Sequence, residues 1–392
     1  MDIYPDIFEN TKVAFSGKSD ADLRKARALF QLMGNNSLVR AGSSLASLAL
    51  AMHLPVSPLF RWTVYDHFCG GETFEECKQT IQGLNDKKAG VLLNYGVELK
   101  KTDADFDKTI EKNIEALEFA GQNRSVKGLC IKLTGFGRLD LFEKIQRAEK
   151  LNGDEQDEFA RFNKRLDRLC DVAAKNSVPL YIDAEESWIQ NALDAVVEER
   201  IARYNKGQCI VFNTIQLYRW DRSTYLQEQL AKARAGGYLL GVKLVRGAYM
   251  EKERERAAAM NYRSPIHENK AGVDKDFDEA VNLCLENLET ISVCIASQSE
   301  ASNLLAIQQI NARKINSSHS HIIFSQLYGM GDNITFNLAE AGFNVAKYLP
   351  YGPVKDVIPY LIRRAQENTS VAGQTGRELS LLKKEIGRRK KK

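Results

Sequence analysis

A chain of 392 residues with 44% hydrophobic and 27% charged side chains has the composition of a globular protein, long enough for one large domain or two ordinary ones. Its formal net charge of +4 makes no electrostatic case for nucleic acid, which is not expected as a partner. The seven cysteines are scattered, with no CxxC and no His/Cys cluster, and read as reduced structural thiols rather than a disulfide framework or a zinc site.

The N-terminus, MDIYPDIFENTKVAFSGKSD, is acidic and has no apolar core, so it predicts neither a signal peptide nor an Arg-rich transit peptide. The expected location is cytoplasmic, either free or peripheral to the inner membrane, or mitochondrial if a transit segment has been removed. No run is long and apolar enough to predict a membrane span. Residues 1–88 are expected to be a helical N-terminal region. DADLRKARALFQLMGN (20–35) and RAGSSLASLALAMHL (40–54) carry apolar residues at helical spacing.

From residue 89 the pattern changes to short apolar runs, each followed by a polar, helix-patterned segment. The runs are AGVLLNYG (89–96), GLCIKLT (128–134), VPLYID (178–183), QCIVFNT (208–214), LLGVKLV (239–245), ISVCIAS (291–297), HIIFSQL (321–327) and FNVAKYL (343–349). They are nearly continuous in apolar residues, as strands of a parallel sheet covered on both faces should be. Eight strand–helix units predict an α/β fold, a (β/α)8 barrel over residues 89–375 with a basic tail at 376–392. A doubly wound open sheet is the rival, but the Gly-rich turn after its first strand is absent.

In a barrel the chemistry sits at the C-terminal ends of the strands. Those ends carry Lys132, Asp183 with Glu185 and Glu186 beyond it, Gln216, Arg246-Gly247-Ala248-Tyr249, Ser297-Gln298, Gln326-Leu327 and Tyr348. Gly247-Ala248 would let backbone approach a flat or anionic ligand, although an ordinary strand–helix turn would look the same. Lys132 either faces the interior, with a partner such as Asp183 or a ligand anion, or snorkels outward. Asp183 could simply cap a helix. GMGD (329–332) is a weak phosphate signal, and the histidines, without metal-ligand spacing, read as structural. In the last helix Arg363 and Arg364 sit side by side on an apolar pattern, and a small anion held from outside the chain would balance them. KKEIGRRKKK reads either as a solvated tail or as a peripheral contact for anionic lipid.

CIKLT, IDAEES, the glutamine of NTIQLY, LVRGAYMEKE and YLPYGPVKDVIPYLIRRAQEN occur in order at these strand ends. With them the chain resembles the proline dehydrogenase family, as a monofunctional member. The resemblance implies a distorted (β/α)8 barrel that holds FAD noncovalently and passes hydride from L-proline to the flavin, giving 1-pyrroline-5-carboxylate and then feeding a membrane quinone. It assigns Arg363 and Arg364 to the proline carboxylate, with Lys132 approaching it and Asp183 alongside. Leu327 and Tyr348 would close around the pyrrolidine ring. Ala184, Gln216, Lys243, Val245, Arg246, Gly247, Ala248, Ser297, Gln298 and Glu367 would surround the flavin, with Glu367 also holding an arginine in place. Lys132, Asp183 and Lys243 form the catalytic set.

Three features depart from the family pattern. Lys243 stands where many bacterial members have arginine, and Gln298 where a histidine is common. Residues 135–160 are an insertion, expected to be an extra helical hairpin and not a calcium loop. A hydroxyproline dehydrogenase is the nearest alternative, disfavoured by Tyr348 in the space a 4-hydroxyl needs. A barrel that binds an amino acid without turnover is a second alternative, and a membrane adaptor using the tail a third.

Overall fold

The computed structural model describes residues 6–35, 37, 39, 42, 60–96, 102–370 and 374–391; the side chains of Trp62 and of residues 365–370 and 374 are outside that description. Eight parallel strands close in chain order into a barrel, β1 to β8, as the eight apolar runs predict. They are β1 (Gly90–Tyr95), β2 (Val126–Ile131), β3 (Leu180–Ile182), β4 (Val211–Gln216), β5 (Leu240–Val245), β6 (Ile291–Ala296), β7 (Ile322–Leu327) and β8 (Val345–Tyr351). Nearly every strand residue is buried, which is why the runs lack the alternation of a one-sided sheet. The boundaries slip most at β2, which lies earlier than its run, and at β4. Before β4 the Asn205 side chain accepts the Ile210 and Val211 backbone N–H groups at 2.9 and 2.8 Å, so the strand starts later than its apolar run.

The chain divides into two compact units, residues 1–98 with 326–392, and residues 99–325. The first holds α1 (Thr11–Ala14), α2 (Asp20–Met33), α3 (Phe74–Asn85), α12 (Asp332–Glu340), α13 (Val354–Ser370) and α14 (Gln374–Lys390), numbered in chain order with the second unit's helices given below. Helix α2 confirms the helical reading of residues 20–35, whereas the segment 40–54 lies outside the described residues. Ser19 and Asp22 start α2 with a reciprocal capping box. Its buried face, Leu23, Phe30 and Met33, shares a core with Phe15, Phe68, Val357, Ile358, Leu361, Leu381 and Leu382. β1 and β8 pair from Gly90↔Ala346 to Tyr95↔Tyr351.

The basic tail is α14, and several of its cations are neutralised inside this unit. Arg388 and Arg389 both bind the fully buried Glu385, which also accepts the Thr11 hydroxyl at 3.0 Å. Arg389 reaches Asp20 as well, and Lys384 and Arg377 bind Glu9.

The second unit holds α4 (Asp103–Gly121), α5 (Leu139–Gln146), α6 (Gly153–Asn176), α7 (Ser187–Tyr204), α8 (Arg222–Gly236), α9 (Met250–Ala259), α10 (Lys270–Glu286) and α11 (Glu300–Ala312). The insertion is not a separate hairpin. Only α5 is extra, because α6 runs on for 24 residues as the barrel helix leading to β3. Two acids of NGDEQDEF are spent locally: Glu155 forms a capping box with Asn152 and pairs with Lys144, and Glu158 pairs with Arg138.

Candidate active site

In the second unit, Lys243 on β5 points from a strand position that is 4% exposed and pairs with Asp183, just past the end of β3. Cys130 Sγ lies 3.9 Å from its ammonium and the Tyr181 ring centroid 5.9 Å. Burial pushes the Lys243 pKa down, but the Asp183 carboxylate more than offsets this and holds it above the ordinary lysine value. Asp183 thus has Lys243 as a counter-ion. Lys132, proposed above as its neighbour, lies beyond β2 with its ammonium 6.0 Å from the Tyr249 ring centroid. The strand ends one residue earlier, at Ile131, and the chain then turns through Leu133–Gly135.

Arg246 is locked in place. Its Nε and Nη2 donate to Asp274 Oδ1 at 2.9 and 2.8 Å, Nη1 to Ser297 Oγ at 2.8 Å, and Nη2 to Ser302 Oγ at 2.9 Å. Gly247 has φ of 137°, and a Cβ there would lie 2.5 Å from the Tyr218 ring, so only glycine fits. Gly247 and Ala248 expose their surface directly after β5, while Val245 and Arg246 are half-buried. Gln216 is buried and donates from Nε2 to the Glu185 carbonyl at 2.7 Å; Ala184 between Asp183 and Glu185 is also buried. At the end of β6, both polar atoms of the Gln298 amide are buried without a hydrogen-bond partner.

In the first unit, the end of β7 and β8 are tied together: Tyr328 donates its backbone N–H to the Tyr348 carbonyl at 2.9 Å. Leu327 and Tyr348 are half-buried. Arg363 and Arg364 are half-buried on α13, next to Val357, Ile358 and Leu361, which are at most 1% exposed. The Arg364 guanidinium stands 5.6 Å from the Tyr360 ring centroid. The Glu367 side chain lies outside the described residues.

A sequence profile described as proline dehydrogenase matches residues 77–377. This chain belongs to the proline dehydrogenase family. Mitochondrial proline dehydrogenase 2 of Arabidopsis thaliana is 31% identical, over 84% of this chain and 79% of its own. A hydroxyproline dehydrogenase of Xenopus laevis is 28% identical, over 96% and 88%. A crystal structure of proline utilization A from Bdellovibrio bacteriovorus, inactivated by N-propargylglycine, superposes with a TM-score of 0.73. That match covers 97% of this chain at 18% identity, showing a shared fold, and this chain spans 41% of that protein.

Within this family member, sequence reasoning missed the residues that hold the site residues. Asp274 and Ser302, which fix Arg246, lie on helices rather than strand ends. Glu185 was noted only as a neighbour of Asp183, yet it is 4% exposed and receives two hydrogen bonds from Thr134. GMGD is not a phosphate cradle: Asp332 is a buried carboxylate paired with Lys18 at 2.8 Å and Lys347 at 2.9 Å, and would repel an anion. Among the histidines, His67 lies 2.8 Å from the Gly329 carbonyl and His267 from Asp276, while His53 is outside the described residues.

Proposed function

We propose that this protein oxidises L-proline to 1-pyrroline-5-carboxylate with FAD as its cofactor and a quinone as the final electron acceptor. The observation that carries this reading is the family match, which spans residues 77–377 and so includes every site residue named above. FAD, when bound, accepts the hydride and supplies the redox chemistry. The residues present fit such a group. Gly247-Ala248 offers open backbone after β5, and the partnerless Gln298 amide would gain partners from a polar cofactor edge. An unsatisfied buried polar group costs about 1–3 kcal/mol, so a ligand that satisfies it gains binding energy there.

In the first unit Arg363 and Arg364 suit a substrate carboxylate, a task for planar, always-charged guanidiniums. In the second unit the family resemblance gives Lys132 the role of a carboxylate-binding cation. Leu327 and Tyr348 orient the pyrrolidine ring. The substrate amine must lose its proton before the adjacent carbon is oxidised, and nearby cations lower its pKa. Lys243, neutralised by Asp183, presents its ammonium from a fixed position. Asp274 and the two serines keep Arg246 from moving. Membrane contact by the tail draws on fewer cations than its sequence suggests, since Lys384, Arg388 and Arg389 already bind acids.

An anaerobic absorbance spectrum before and after adding L-proline tests the reading. A flavin band that bleaches with L-proline, and much less with trans-4-hydroxy-L-proline, supports both the reaction and the role of Tyr348. The hydroxyproline dehydrogenase relative gives the second reading, which equal bleaching by both substrates would favour. Absence of a flavin band after adding FAD would remove the enzyme reading. Arg363→Met should raise KM for proline about 30-fold to 100-fold while flavin stays bound.

A further inference from the structure

Four hydrogen bonds in the second unit hold Glu185, two at its buried carboxylate and two at its backbone. Thr134, in the turn that follows Lys132, donates its backbone N–H to Glu185 Oε1 at 3.0 Å and its hydroxyl to Glu185 Oε2. The Glu185 backbone N–H donates to Gln190 Oε1 at 2.6 Å, on α7, and the Glu185 carbonyl accepts from Gln216 Nε2 at 2.7 Å, on β4. Glu185 is therefore attached to the Lys132 turn through its side chain, and to the Gln216 side through its backbone.

We propose that Glu185 is a positioning residue for substrate binding: its carboxylate anchors the turn that presents Lys132, and its charge moderates how strongly Lys132 holds a substrate carboxylate. The inference rests on the role proposed above for Lys132. The surrounding charges are well defined. Lys132 faces Glu185 from the β2 turn, and Glu186 adjoins it but is paired with Lys252 of α9. On its other side Asp183 is paired with Lys243. Through Gln190 the next carboxylate is Asp194, 2.8 Å from Gln190 Nε2 and paired with Arg222 at 2.7 Å. Asp183, Glu186 and Asp194 thus each have their own cation, and Glu185 has Lys132.

Burial raises the Glu185 pKa to about 7, against the pull of Lys132 and the Thr134 hydrogen bonds. The sign follows. Above that pH an ionised Glu185 competes with a bound substrate carboxylate for the Lys132 charge. Below it the carboxyl is neutral, and Lys132 acts on the ligand alone. Ligand binding should therefore weaken as pH rises through about 7.

The test uses FAD-loaded enzyme and tetrahydrofuran-2-carboxylate, which has the ring and carboxylate of proline but no amine to titrate. Kd is read from the shift of the flavin absorbance. For the unmutated enzyme Kd should rise about threefold to tenfold between about pH 6 and about pH 8.5. Glu185→Gln keeps an acceptor for Thr134 and should flatten that profile at its tight, low-pH level. Glu185→Ala removes the anchor but leaves the backbone bond to Gln216. It should weaken binding at every pH, with flavin affinity nearly unchanged. Opposite shifts of the two variants at high pH support the proposal. An unaltered pH profile in Glu185→Gln, or weakening of ligand and flavin together in Glu185→Ala, overturns it. An unmutated holoenzyme that binds neither the analogue nor proline instead overturns the substrate assignment itself, and this inference with it.

Discussion

Two buried lysine–aspartate pairs, one in each unit, use the same chemistry to different ends. Lys243 sits on β5 with Asp183 and the Cys130 thiol, and its pKa is held above the ordinary value. Lys347 sits on β8 and is 0% exposed, with its ammonium bonded to Asp332 and to the carbonyls of Leu327 and Met330. Burial lowers the Lys347 pKa, and Asp332 does not fully restore it. Asp332 divides its charge between Lys347 and Lys18, whereas Asp183 has Lys243 at direct contact. Backbone carbonyls complete the Lys347 shell and mark it as a tie that closes the turn after β7. Lys243 is held chiefly by ionic contact inside β5, and acting on a ligand is the role proposed for it.

The largest expected effect comes from breaking the structural tie. Lys347→Met should lower unfolding free energy in urea by about 3–5 kcal/mol, because it strips buried Asp332 and two carbonyls of a cation. A loss below about 1 kcal/mol would erase the distinction between the two pairs. Lys243→Met should slow proline-dependent flavin bleaching about 100-fold or more, the usual effect of deleting one preorganised donor. Lys243→Arg, which restores the residue common in bacterial relatives, should keep most of that rate. If Arg and Met variants are equally slow, the ammonium is not the active feature.

The third effect concerns Glu378, which accepts the Gly331 N–H at 2.7 Å beside the Lys347 pair. Burial raises its pKa to about 7 from an ordinary 4.5. The folded state therefore holds a proton that the unfolded state has released between those values. Stability from this group is full below about pH 4.5 and is lost as pH rises through about 7. Glu378→Gln should thus gain about 1–3 kcal/mol at pH 8 and little at pH 5, read by urea melts at both. A gain at pH 5 alone would reverse the assignment. The smallest change is Arg389→Ala, which loses Asp20, its share of Glu385 and two carbonyls, for about 1 kcal/mol.

The barrel was legible in the sequence because strands buried on both faces leave near-continuous apolar runs, and eight of them, each followed by a helix pattern, admit few other folds. The strand ends were legible for the same reason, and Lys132, Asp183, Gln216, Arg246 and Gln298 with them. The paired arginines stood out in the sequence as two charges on an apolar helix pattern. What stayed hidden was the pairing. Lys347 lies in the apolar run FNVAKYL with nothing local to show that it is fully buried. Its partner Asp332 sits in a glycine turn that resembled an anion cradle.

Local sequence determined where strands, turns and helix caps form, because side-chain period, glycine and capping residues act within a few positions. Only the tertiary structure decided which carboxylate answers which cation: Asp183 for Lys243, Asp274 for Arg246, and Asp332 for Lys18 and Lys347. Desolvation and Coulomb energy depend on distance in space and on burial. Most of these partners stand far apart in the chain and leave no local pattern for the sequence to carry.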